Sequence, residues 1–136
     1  MARDVFHTSV RRALEKDGWS ITDDPLKLEF GSTRMLADLG AEKLMAAQRG
    51  LERIAVEVKS FVGPSEINEF HTALGQYLNY RQLLQLTDTS RKLYLAVPID
   101  TYNSFLSEDF PTLMLQKYEV TLIVYDQLEE VIVAWK

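Results

Sequence analysis

Residues 52–60, ERIAVEVKS, constrain the fold more tightly than any other stretch. Side chains alternate across an extended strand. Ile54, Val56 and Val58 therefore share one face, and Ala55, Glu57 and Lys59 share the other. The first face is wholly apolar. Within 54–59 the second carries one small apolar residue, one acid and one base. A strand of this kind belongs in the middle of a sheet, with helices over both surfaces. Glu57 and Lys59 stand roughly 7 Å apart along it. A charge on a covered surface must be paired or must line a cleft. An isolated E-x-K also suits a strand with one solvated face, so the neighbouring strands have to decide between the two.

The flanking segments supply an architecture. Residues 4–17 have helical spacing in Val5, Phe6, Val10, Ala13 and Leu14, with Gly18 as the stop. A turn and a short extended piece follow, broken at Asp23, Asp24 and Pro25. LKLEF (26–30) alternates as a strand, GS (31–32) is a tight turn, and TRMLADLG (33–40) is the next strand. AEKLMAAQ (41–48) favours helix by propensity, while its place between strands allows a hairpin arm. Arg49 and Gly50 turn the chain into the strand at 52–60. The longest helix starts near Pro64, in its first turn, with an apolar face of Ile67, Phe70, Leu74, Tyr77, Leu78 and Leu84. KLYLAVPI (92–99) is a strand, DTYNSFL a short helix, and VTLIVYD with VIVAWK a terminal hairpin. The order α-β-β-β-α-β plus hairpin describes an α/β or α+β domain around one central sheet, and 136 residues make one domain.

Composition narrows the function classes. There is no cysteine, which removes thiolate metal sites and disulfides and fits a reducing cytoplasm. No secretory h-region opens the chain and no apolar run reaches about 18 residues, so neither export nor a membrane span is expected. The net charge of −5 argues against a broadly basic coat. Residues 1–60 carry ten Lys/Arg and ten Asp/Glu, whereas residues 61–136 carry five and ten. A polyanion is therefore expected to meet the first half. His71 has no second histidine one turn on, Ser60 lacks a base, and no glycine-rich phosphate loop is present. Arg11, Arg12 and Lys16 can reach a phosphate or simply form the wet side of the first helix. Tyr94, Tyr102, Tyr118, Tyr125 and Trp135 read as packing.

Asp38 completes a constellation. If 33–40 pairs with 52–60, Asp38 and Glu57 meet at one sheet end. Two adjacent carboxylates repel, and a hard cation such as Mg²⁺ or Mn²⁺ relieves that repulsion with oxygen ligands. Lys59 beside it can position a water or stabilise charge on a phosphate. Two acids, a divalent cation and a lysine are the equipment of phosphodiester hydrolysis.

Asp38 followed by Glu57-Val58-Lys59, on consecutive strands before a long helix, resembles the restriction-endonuclease-like superfamily of PD-(D/E)xK nucleases. Ala37 stands where that superfamily's name has proline. The resemblance implies a restriction-endonuclease-like fold, with a central mixed β-sheet flanked by helices. It implies that Asp38, Glu57 and the Val58 carbonyl hold Mg²⁺ or Mn²⁺ and that Lys59 assists the attacking water. Gln76 and Tyr80, one turn apart, resemble the Q-x-x-x-Y pair beside the active site of RecB-like nucleases, or form a polar helix flank. His7 stands on the first helix, where related nucleases place a glutamate. It faces the site or packs on the sheet, and Glu15 is the alternative for that role.

A closer resemblance covers nearly the whole chain. DVFHTSVRRALEKDGWSITDDPL, LADLGAEKLMAAQRGLERIAVEVKSF and LGQYLNYR are similar to the XisH family, the fdxN-element excision controlling factors. This implies a role in DNA-element excision, DNA as a partner and a companion factor, XisI. Two readings follow from the resemblance, a metal-dependent DNA endonuclease and a non-catalytic accessory protein. Cutting a duplex takes two active sites, which makes a homodimer plausible.

Overall fold

A computed structural model of the chain describes residues 2–45 and 50–136. The elements in order are α1 (Ala2–Lys16), β1 (Ser20–Asp23), β2 (Leu26–Phe30), β3 (Thr33–Ala37), β4 (Leu39–Met45), β5 (Gly50–Val58), α2 (Glu66–Thr87), β6 (Arg91–Pro98), α3 (Ile99–Asn103), α4 (Asp109–Lys117), β7 (Leu122–Asp126) and β8 (Val131–Trp135). A 3-10 turn, Phe105–Ser107, joins α3 to α4. Six strands form a mixed sheet in the order β1-β4-β5-β6-β7-β8, while β2 and β3 form a separate hairpin. β5, β6 and β7 run parallel, and the other neighbours in the sheet are antiparallel.

β5 is central and covered on both faces, as its alternation requires. Ile54 and Val56 join Val10 and Leu14 of α1, with Leu39, Ala41, Tyr94, Ala96, Ile123 and Tyr125, in one core. Ala55 joins Phe70, Ala73, Tyr77 and Tyr80 of α2 in the other. Successive residues thus feed two cores, the physical meaning of a period of two. The parallel β5–α2–β6 connection is a helical crossover, which puts α2 over the second face.

Several expectations change. Residues 33–40 are not one strand. The chain bends at Asp38, β3 pairs with β2, and β4 pairs with β5 and β1. The five residues Ala41–Met45 are strand, because pairing with β5 along their whole length, and with β1 at Ala41 and Glu42, outweighs their helical propensity. The proposed helix or hairpin arm beyond them, and the turn at Arg49, lie in 46–49, outside the described residues. Residues 20–23 form an edge strand, so five strands precede α2 rather than three. Strand β5 ends at Val58, one residue before Lys59. Pro64 lies before α2, and Ser65 is the N-cap, its hydroxyl oxygen accepting from the Asn68 N–H at 3.3 Å. Ile67 stays exposed. Helix α4 is additional. Gly18, at φ 94°, ends α1 as expected, and Trp135 packs on Trp19 and Tyr94. Arg11 and Arg12 are paired with Asp24 and Glu130, and Lys16 donates to the Glu129 carbonyl, so these three basic residues of α1 have partners within the chain.

Arg91 fixes the end of the sheet away from Val58. It is buried and donates to the Ile54 carbonyl at 2.9 Å, Asp23 Oδ2 at 3.1 Å and Asp88 Oδ2 at 3.2 Å. Gly40 leaves room for it, since a Cβ there would come within 2.9 Å of its Nη1. Removing one partner of a buried ionic cluster costs ~3–5 kcal/mol, and Asp23 and Asp88 are partly solvated. Arg91→Ala is therefore expected to lower unfolding free energy by ~3 kcal/mol, read from urea midpoints at unchanged slope.

Candidate active site

The bend at Asp38 builds the site. Leu39 opposes Val56 in the ladder, so Asp38 falls beside Glu57 where the regular pairing stops. Side chains take over the hydrogen bonds at that point. The Asp38 N–H donates to Glu57 Oε1 at 3.2 Å, and the Val58 N–H donates to Asp38 Oδ2 at 2.7 Å. Each acid thus accepts from the backbone of the other's strand. Both are buried, at 5% exposure each. Lys59 Nζ stands 3.6 Å from Glu57 Oε2.

Burial, and then the neighbouring Asp38 carboxylate, push the Glu57 pKa up from 4.5 to about 8, and Lys59 offsets this only in part. A buried, strained acid pair with one cation beside it is a functional-site signature.

Phe6, Leu36, Ser60, Phe61 and Glu69 enclose a cleft of about 300 Å³ together with His7, Asp38, Glu57, Val58, Lys59, Gln76 and Tyr80. All six side chains singled out for catalysis, and Val58, reach this one cleft. They come from α1, the bend before β4, the end of β5 and α2. Gln76 and Tyr80 belong to the cleft wall. Tyr80 is buried, and Gln76 Oε1 is buried with no hydrogen-bond partner among the described residues. His7 Nε2 lies 2.8 Å from Asp24 Oδ1, and Asp24 Oδ2 accepts from Arg11 Nη1 at 2.6 Å. Glu15 is exposed and does not line the cleft. Asp24 and Glu69 are the acids near the site that the strand pattern does not reveal. Glu69 Oε1 accepts from the Gly63 N–H at 2.9 Å.

The donor set suits a hard cation. Asp38, Glu57 and the Val58 carbonyl offer only oxygen, which Mg²⁺ or Mn²⁺ accepts while keeping several waters. Among the described residues no three His, Asp or Glu side chains converge on one metal position. A cation here would therefore rest on two carboxylates and complete its shell with water or substrate.

A family model described as XisH protein matches residues 1–133. The chain belongs to the XisH family. Two solved structures resemble it over nearly their whole length. An XisH family protein from Nostoc punctiforme is 48% identical with a TM-score of 0.89, covering 97% of this chain and 98% of its own. An fdxN element excision controlling factor protein from Anabaena variabilis is 48% identical with a TM-score of 0.90, covering 98% of each chain. No functionally curated protein matches. Among the described residues of this XisH-family chain, no helix is long and apolar enough to cross a membrane.

Proposed function

We propose that this XisH-family chain is a restriction-endonuclease-like PD-(D/E)xK protein that hydrolyses DNA phosphodiesters with Mg²⁺ or Mn²⁺ in the control of element excision. The carrying observation is the interlock of Asp38 with Glu57 and Val58, with Lys59 at 3.6 Å, inside one cleft. Asp38, Glu57 and the Val58 carbonyl would hold the cation, which supplies charge stabilisation at the phosphate and an acidified water. Lys59 places its ammonium against the non-bridging oxygens as negative charge develops. Gln76 offers a buried acceptor to a water or substrate hydroxyl, and leaving such an acceptor unmet costs ~1–3 kcal/mol. Tyr80 closes the wall of the cleft behind it.

Supercoiled plasmid with Mg²⁺ or Mn²⁺ tests this. Wild type is expected to nick it, and Lys59→Ala to be slower by about 10²–10³-fold, the loss typical of one preorganised electrostatic contact. Equal nicking by both, or none by wild type, rejects the reading.

A second reading is favoured by the −5 charge and by the internal pairing of Arg11, Arg12 and Lys16. In it the protein is an accessory that binds DNA or an XisI-like companion and regulates a separate recombinase. Co-purification with that companion supports it. Failure to associate with companion or DNA at moderate salt rejects it, since phosphate contacts weaken steeply as salt rises.

A further inference from the structure

One more pair of titratable groups bears on the cleft. His7 lines it from α1, and its Nε2 is engaged by Asp24 at 2.8 Å. Asp24 sits between β1 and β2 and is itself held by Arg11 at 2.6 Å. An imidazole with one nitrogen on a carboxylate keeps a fixed tautomer, and its second nitrogen can take a proton. Lys59 has a different chemistry. An ammonium donates three hydrogens and has no lone pair to accept one. His7 also stands outside any three-group metal cluster among the described residues. It therefore lines the same cleft as the acid pair without forming a three-group ligand set with it, and about 300 Å³ is space for a phosphate and a water.

We propose that His7, oriented by Asp24, is the general base of this cleft, and that Lys59 serves only as an electrostatic contact. The inference rests on the phosphodiester reading above. In the step, the water oxygen bonds to phosphorus and its proton passes to His7 Nδ1. The bond from phosphorus to the leaving oxygen breaks, and that oxygen takes a proton from solvent. The imidazolium beside Asp24 then returns its proton to solvent. The charged and titratable groups that bear on His7 are Asp24 and Arg11 behind it, Asp38, Glu57 and Lys59 from the sheet end, and Glu69 and Tyr80 from α2.

The test compares wild type, His7→Ala, His7→Asn and Asp24→Asn on supercoiled plasmid in excess Mn²⁺, with Mn²⁺ affinity measured calorimetrically. A positioned base contributes about 10²–10⁴-fold. His7→Ala and His7→Asn are expected to lose about 10²-fold, to keep wild-type Mn²⁺ affinity within twofold, and in the alanine variant to recover at least tenfold with added imidazole. His7→Asn can keep a hydrogen bond to Asp24, so it remains informative if the alanine variant fails to fold. Asp24→Asn should lose about tenfold and keep its Mn²⁺ affinity. Wild-type cleavage with undiminished His7 variants overturns the inference alone. So does loss of Mn²⁺ affinity in step with activity, or a folded alanine variant that imidazole leaves inactive. A wild type that cleaves under no condition removes the phosphodiester reading and this inference together.

Discussion

Asp38→Ala is expected to abolish nicking and divalent-cation binding together, while Asp38→Asn abolishes both and leaves the fold intact. The two variants separate the acid's two jobs. Charge stabilisation by a bound cation is worth several kcal/mol, which at 1.36 kcal/mol per decade is a loss of about 10³-fold or more in rate. Either substitution removes the charge that would hold the cation. Only alanine also removes the acceptor of the Val58 N–H, a 2.7 Å bond at the point where the ladder stops. An amide oxygen still accepts there. A buried donor left unmet costs ~1–3 kcal/mol, so alanine should unfold ~1–2 kcal/mol sooner than asparagine. Both should be compared at one pH, and since neither keeps the Asp38 carboxylate that helps to raise the Glu57 pKa, repulsion with residue 38 does not enter. Plasmid nicking, cation titration and urea unfolding on the same samples decide it. Equal stability of the two variants contradicts the capping role. Cation binding that survives in either contradicts the ligand role.

The same residue shows how far the sequence could be read. Alternation placed Ile54 and Val56 in one core and Ala55 in the other, and put Glu57 and Lys59 on one side of the sheet. The approach of Asp38 to Glu57 was expected from pairing 33–40 with 52–60, and of that stretch only Leu39 and Gly40 pair with β5. What alternation does not carry is a break. Asp38 ends one hairpin and opens the next strand because its carboxylate replaces a ladder bond, a side-chain effect with no period. Ala41–Met45 misled because helix propensity is a weak prior once a segment pairs along its length with a neighbouring strand, here β5. Helix α4 was hidden by Pro111, which sits in its first turns, and by Phe110 and Leu113, which face outward and blur the stripe. Asp24 reads as a helix breaker before Pro25, and nothing in its neighbourhood points to His7, 17 residues away. Arg91 looks like a surface residue at a strand start, and its burial follows from the space left by Gly40 together with the partners Asp23, Asp88 and the Ile54 carbonyl.

Glu57→Gln should make the cation-free protein more stable at pH 8 while removing cation binding. Burial and the Asp38 carboxylate raise the Glu57 pKa from 4.5 to about 8, so over that window the folded chain keeps a proton that the unfolded chain releases. Stability rises with pH where the unfolded state binds more protons. Here the folded state binds more, so the sign is reversed. The contribution is intact below about pH 4.5 and is lost as the pH climbs through about 8. The full shift corresponds to a ceiling of ~5 kcal/mol at 1.36 kcal/mol per pH unit. Relaxation of a buried site reduces it, and ~2 kcal/mol between pH 5 and pH 8.5 is the expected loss for wild type in a chelating buffer. Glutamine is nearly isosteric, still accepts from the Asp38 N–H through its carbonyl, and does not ionise. Its unfolding free energy should therefore lack that slope and exceed the wild-type value at pH 8.5. A wild-type curve parallel to that of Glu57→Gln would show that Glu57 ionises as an ordinary surface acid. The cleft would then lack the stored repulsion that makes a divalent cation the natural third member beside Asp38 and Glu57.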